Sequence, residues 1–180
     1  MNNEHRRYHL AVWTVIASEA LLFAGLFALY WSYRAEYPAQ FDAGIAHDLH
    51  WDGALNTLLL LTSSFAIAWS ILMTRQGRRT AATISLVVTL VLGAAFLFFK
   101  LYEWNDHIGE GLVPGVSLFF TLYYLMTGLH AIHVVVGMAL VSWVTVRRER
   151  GLALDLVALY WHFVDVIWVF LWPMFYVAKP

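Results

Sequence analysis

Five residues of this chain combine acid, base or metal-ligand chemistry with strongly apolar surroundings: Glu19, His130, His133, His162 and Asp165. His162 and Asp165 lie three residues apart in Tyr160-Trp161-His162-Phe163-Val164-Asp165-Val166-Ile167-Trp168-Val169-Phe170-Leu171, so on a helix they share a face. His130 and His133 have the same spacing in Thr127-Gly128-Leu129-His130-Ala131-Ile132-His133, with Gly137 one turn further. Glu19 shares a face with Phe23, Leu26 and Tyr30, beside a small-residue stripe of Ala17, Ala20, Ala24 and Ala28 suited to close helix contact. In lipid each of these polar groups costs several kcal/mol unless it points into protein and finds partners.

Three chemistries compete for such a set. Three histidines and two carboxylates suffice for zinc or non-haem iron. His-x-x-His is weak evidence for that, however, and the Glu-x-x-His signature of di-metal helix bundles is absent. Ionisable groups inside membranes also mark proton paths. The most economical reading is a mutually satisfied polar network that fixes helix registry. It expects Trp161 and Trp168 to offer indole donors to Asp165, and the hydroxyls of Thr62, Ser63 and Ser64 to bond back onto the preceding turn.

The elements that must position these residues follow from composition. The 180 residues are 61% hydrophobic, 17% aromatic and only 13% charged, with apolar runs near membrane-crossing length. The reading is all-α, a single integral membrane bundle over residues 1–180. Five transmembrane helices are expected at about 10–31, 54–73, 80–100, 116–144 and 154–175. The polar start, Met1 to His9, leads into an apolar run too long for a signal peptide, so the first helix is read as retained. No long linker or internal repeat interrupts the pattern.

Arginine sets the orientation. Arg6, Arg7, Arg75, Arg78, Arg79, Arg147, Arg148 and Arg150 fall on one side, against Arg34, Lys100 and Lys179 on the other, which predicts N-terminus in and C-terminus out. The outer segments instead carry Glu36, Asp42, Asp48, Asp52, Glu103, Asp106 and Glu110, read as solvated loops. Trp13, Trp69 and Trp143 mark the inner boundary, and Trp31, Trp51, Trp104 and Trp172 the outer one. The turn Arg75-Gln76-Gly77-Arg78-Arg79 suits orientation and anionic lipid headgroups. His47, His50 and His107 are read as exposed loop histidines. With no cysteine there is no disulfide, thiolate site or thiol nucleophile, and a net charge of −1 without a basic stripe argues against nucleic acid. Paired Gly/Pro-broken helices, the mark of a transport site, are also missing.

Several stretches resemble subunit III of haem-copper oxidases, the cytochrome c and quinol oxidases. They are Ser18-Glu19-Ala20 with Phe23-Ala24-Gly25-Leu26-Phe27, then Leu55-Asn56-Thr57, then Thr127 to Val134 with Gly137, and Tyr160 to Trp168. The resemblance covers nearly the whole chain. It implies a non-catalytic chain in the bacterial inner (plasma) membrane that stabilises catalytic subunit I, with subunit II nearby, holds lipids and helps sustain proton uptake through repeated turnovers. Haem and copper would reside in the partner, none in this chain, and Glu19, His130, His133, His162 and Asp165 would form an internal network. Larger members have seven helices, with lipids in a cleft after the second. This chain matches from the third onward, like the five-helix bacterial forms, so the other wall of that cleft would have to come from a partner. The accessory protein of nitric oxide reductase systems is similar, and Lys100-Leu101-Tyr102-Glu103-Trp104 is common to both groups. A self-sufficient intramembrane metalloenzyme is the rival of another class.

Overall fold

The computed structural model describes residues 3–47 and 50–177, and among them there are helices and turns but no strand. In chain order the helices are α1 (Asn3–Glu36), α2 (Pro38–His47), α3 (His50–Arg75), α4 (Arg79–Gly109), α5 (Leu118–Val146) and α6 (Leu152–Trp172), followed by a π-helical turn, Pro173–Val177. Five are long and apolar enough to span a membrane, at His9–Glu36, Gly53–Arg75, Arg79–Gly109, Leu118–Val146 and Leu152–Val177. The sixth, α2, is a short helix between the first two spans, where the sequence reading placed a loop.

The reentry turns are set by backbone chemistry. After α3 the chain reverses through Gly77 at φ 74°, a conformation glycine adopts without steric cost, and the Arg78 amide bonds the Met73 carbonyl at 2.9 Å. Ser117 caps α5 by accepting from the Phe120 amide at 3.2 Å.

Helix α6 is the centre of the bundle. Half of the most apolar window of its span is buried, against 11% for α1. It packs on α3 and α5, while α4 packs on α3 and α5, and α1 lies against α5 and α6 at one side. Trp161 explains how close the approach is: a Cβ at Gly93 would meet its ring at 3.0 Å, and one at Gly137 at 2.9 Å. Two glycines on facing helices thus make the slot for one indole. On the far side an aromatic cluster of Tyr30, Phe41, Phe119, Tyr123 and Phe175 joins α1, α2, α5 and the π turn, largely edge to face. Pro173 carries no amide hydrogen and ends the α pattern there, and the Tyr30 hydroxyl donates to the Met174 carbonyl at 2.5 Å.

Two expectations need correction. The third span does not stop at Lys100: α4 continues to Gly109, and Lys100, Glu103 and His107 are buried rather than solvated in a loop. Trp13, Trp31, Trp69 and Trp143 are exposed, as boundary residues should be, whereas Trp104 and Trp172 are half-buried. The side chains of Arg6, His47, His50, Trp51 and Asp52, and residues Asp48 and Lys179, lie outside what the structure describes.

Candidate functional site

Helix α1 presents Phe23, Leu26 and Tyr30 inward, and Glu19 follows that face one turn earlier. Its Oε2 lies 3.1 Å from His133 Nε2 on α5. The other ring nitrogen, Nδ1, is 2.8 Å from the Leu129 carbonyl. A carbonyl can only accept, so Nδ1 must carry a hydrogen. Neutral imidazole then leaves Nε2 as an acceptor, and the contact closes only if Glu19 donates. Alternatively both nitrogens are protonated and Glu19 is the carboxylate. In either form one proton sits between the two side chains. Phe23 meets the His133 ring edge-on at 5.4 Å.

This pair is not sealed. The side chains are 28% exposed for Glu19 and 13% for His133. They open onto a cavity of about 520 Å³ between α1, α5 and α6, whose other polar group is Tyr160 and whose walls are Ala11, Val12, Val15, Ile132 and neighbouring aliphatics. The arrangement is an acid–imidazole pair sharing one proton at the side of an apolar groove.

The other three expected residues do not join this pair. His130 is fully buried between aromatic rings, edge-on to Phe96 at 5.7 Å and tilted over Trp168 at 5.2 Å, and neither ring nitrogen reaches a hydrogen-bond partner among the described residues. His162 Nδ1 is 2.6 Å from Ser64 Oγ on α3. Asp165 lies beside Ser64, yet neither carboxyl oxygen completes a hydrogen bond among the described residues. Trp161 and Trp168 do not serve Asp165: they donate to Ser63 Oγ at 3.0 Å and Thr57 Oγ1 at 3.1 Å, both on α3. Thr62 and Ser63 bond back to the carbonyls of Leu58 and Leu60, whereas Ser64 crosses to α6. Of the five residues the sequence groups, Glu19 and His133 pair directly, His162 and Asp165 both lie beside Ser64, and His130 stands among aromatic rings. Among the described residues no three His, Asp or Glu side chains converge as a metal would require.

A second polar cluster escaped the sequence reading. Lys100 Nζ donates to Glu103 Oε1 at 2.9 Å, to the Tyr123 hydroxyl at 2.8 Å and to the Tyr176 hydroxyl at 2.5 Å. Both tyrosine hydroxyls donate in turn to the same Glu103 oxygen. All three ammonium hydrogens are used, and the charge also stands over the rings of Tyr123 (4.5 Å), Tyr176 (5.2 Å) and Trp168 (5.5 Å). Lys100 is 1% and Glu103 6% exposed. The cluster ties α4 to α5 and to the π turn that delivers Tyr176. The available signal was Lys100 and Glu103 at i,i+3 on a continuing helix. Next to it, His107 is buried against Phe120 and Tyr123 rather than exposed.

Comparison with known proteins fits this architecture. Residues 5–179 match the family model for cytochrome c oxidase subunit III. A cytochrome c oxidase subunit 3 of Alkalihalophilus pseudofirmus is 32% identical, over 96% of this chain and 87% of the relative. A probable quinol oxidase subunit 3 of Staphylococcus epidermidis is 30% identical over 93% of this chain and 87% of its own length. A haem-copper oxidase subunit I+III of Aeropyrum pernix is 26% identical over 93% of this chain, which spans 22% of that larger protein.

Proposed function

The chain belongs to the cytochrome c oxidase subunit III family, and we propose that it is the non-catalytic third subunit of a haem-copper oxidase, docked on the catalytic subunit through the open side of α1. The observation that carries this reading is the exposure of α1. Only 11% of its most apolar window is buried, and the small residues Ala17, Ser18, Ala24, Gly25 and Ala28 all face outward. Without a hydrophobic effect to drive helices together in lipid, such small residues earn their place by letting a neighbouring backbone approach. The relative named as subunit I+III supports a partner that sits close enough to be joined in one chain.

In this reading haem and copper belong to the catalytic subunit, where oxygen is reduced. The chain's own contribution is structural support and proton supply. The Glu19–His133 pair lies on the flank of the same helix and holds one proton beside the groove, so it can pass that proton toward the partner, leaving a Glu19 carboxylate until a proton taken up through the groove restores the neutral pair. The arginine-rich side, with Arg75, Arg79, Arg147 and Arg148 exposed, faces the cytoplasm of a bacterial plasma membrane.

The test is purification of the assembly from native membranes through a tag on this chain, with a haem spectrum and identification of the companion chains. Haem and a subunit I in fixed ratio are expected. Companions from a nitric oxide reductase would move the chain to that system, and an isolated chain active without companions would overturn the proposal.

A further inference from the structure

Once the Glu19–His133 pair has passed its proton on, it leaves a carboxylate that the pair itself cannot stabilise. With Nδ1–H committed to the Leu129 carbonyl, neutral His133 turns the lone pair of Nε2 toward Glu19, 3.1 Å away. Two acceptors then face each other at the side of an apolar groove, where an unpaired carboxylate is costly. The backbone offers no donor, because the amide hydrogens inside α1 and α5 are used in the helix ladders. The adjacent hydroxyl, Ser18, gives its hydrogen to the Val15 carbonyl at 2.7 Å. One side chain remains. Tyr160 of α6 is the only other polar group that lines the groove among the described residues.

Tyr160 is placed to serve. Its half-buried ring rests against α5 at Gly137, where an added Cβ would lie 3.5 Å from Tyr160 Cε1, one turn along from His133. Glu19 is within electrostatic range of its hydroxyl. That hydroxyl is also uncommitted. Tyr30 and Tyr124 donate to the Met174 and Leu112 carbonyls, and Tyr123 and Tyr176 donate to Glu103. The Tyr160 hydroxyl makes no hydrogen bond among the described residues.

We propose that Tyr160 is a positioning residue for proton supply, donating its hydroxyl hydrogen to the Glu19 carboxylate while the pair is discharged and withdrawing when Glu19 is reprotonated. The Tyr160 O–H bond stays whole throughout. The proton that leaves is the one shared by Glu19 and His133, and the one that replaces it enters through the groove. A hydrogen bond to an ionised acceptor is roughly twice as strong as one between neutral groups, so the hydroxyl favours the discharged form over the loaded one. This role rests on the reading of the pair as a proton donor to the partner.

The test uses the full assembly from native membranes and counts turnovers completed before activity is lost, for Tyr160→Phe, Glu19→Gln and the double variant. Tyr160→Phe keeps the ring on Gly137, so the amount of folded chain should match wild type. Its working life should fall about threefold. In the Glu19→Gln background the same change should add nothing, because the hydroxyl acts through the carboxylate. A merely structural role would add its loss to that of Glu19→Gln. Infrared difference spectra between resting and turning-over assemblies, with ring-deuterated tyrosine to mark the bands, give a second readout. A tyrosine C–O band present in wild type should be missing from both single variants. Both readouts are taken per assembled complex, so a lower yield of Tyr160→Phe leaves them valid. Additive losses, a band that persists in either variant, or a loss of working life confined to Glu19→Gln would overturn the role of Tyr160 alone. A normal working life with Glu19→Gln would instead remove the proton-supply reading, and the role of Tyr160 with it.

Discussion

Glu19 with His133 and Lys100 with Glu103 are each an acid beside a base inside an apolar bundle, and they are built in opposite ways. Lys100 and Glu103 are sealed, and two tyrosine hydroxyls complete a circuit in which every ammonium hydrogen has an acceptor. Removing two charges from solvent is expensive, and it is offset here by the ion pair and the two tyrosine hydroxyls that converge on Glu103 Oε1, although Glu103 Oε2 is buried without a hydrogen-bond partner among the described residues. Glu19 and His133 share one contact and stay partly exposed to a groove. The first arrangement holds helices in place and has no room to exchange a proton. The second shares a proton in a partly exposed contact at the side where α1 is uncovered. Equal chemistry at the level of residue type thus differs in degree of enclosure, and the proposed division into support and supply rests on that difference.

The sharpest way to break this contrast is to unpair the sealed cluster. Lys100→Met or Glu103→Gln alone leaves a buried charge without its partner and should cost about 3–5 kcal/mol, with little folded chain accumulating in membranes. The double substitution removes both charges and should recover much of that loss. If the double variant is as poor as either single one, the cluster is not held by charge pairing. A smaller effect is expected at the Trp161 slot. Gly137→Ala puts a methyl 2.9 Å from a ring that is itself wedged against Gly93, so thermal unfolding should reveal about 1–3 kcal/mol of overpacking. The smallest effect on the chain itself belongs to Gly25→Ala, because nothing lies within 4 Å of the added methyl. Its folding should be unchanged, while the yield of assembled complex drops if a partner helix packs on α1. An unchanged yield would remove this face from the interface.

The spans were legible because an apolar run of sufficient length has few alternatives in lipid: α3, α5 and α6 begin and end within four residues of the expected bounds, while α1 extends beyond 10–31 at both ends, from Asn3 to Glu36. The end of the third span was misplaced for a physical reason. Lys100 and Glu103 look like the edge of a membrane segment when charges are counted singly, but as a closed pair they permit the helix to continue to Gly109. The site was legible residue by residue and not as a set. His130 and His133 differ by about 60° around the helix, enough to send one among the rings of Phe96 and Trp168 and the other to Glu19. Which neighbour each face meets depends on how the helices are arranged, which local spacing does not encode. The donors of Trp161 and Trp168 went to α3 for the same reason.

The proposed division of these two acid–base pairs by enclosure has one maintain the fold and the other serve the partner. It is tested most directly by carrying Glu19→Gln and Glu103→Gln in parallel and measuring, for each, the amount of folded chain and the number of turnovers an assembled complex completes before it loses activity. Glu19→Gln should leave the amount of chain near wild type and shorten the working life several-fold, whereas Glu103→Gln should deplete the chain itself. Loss of folded chain in both variants to the same degree, or a normal working life with Glu19→Gln, would contradict the account.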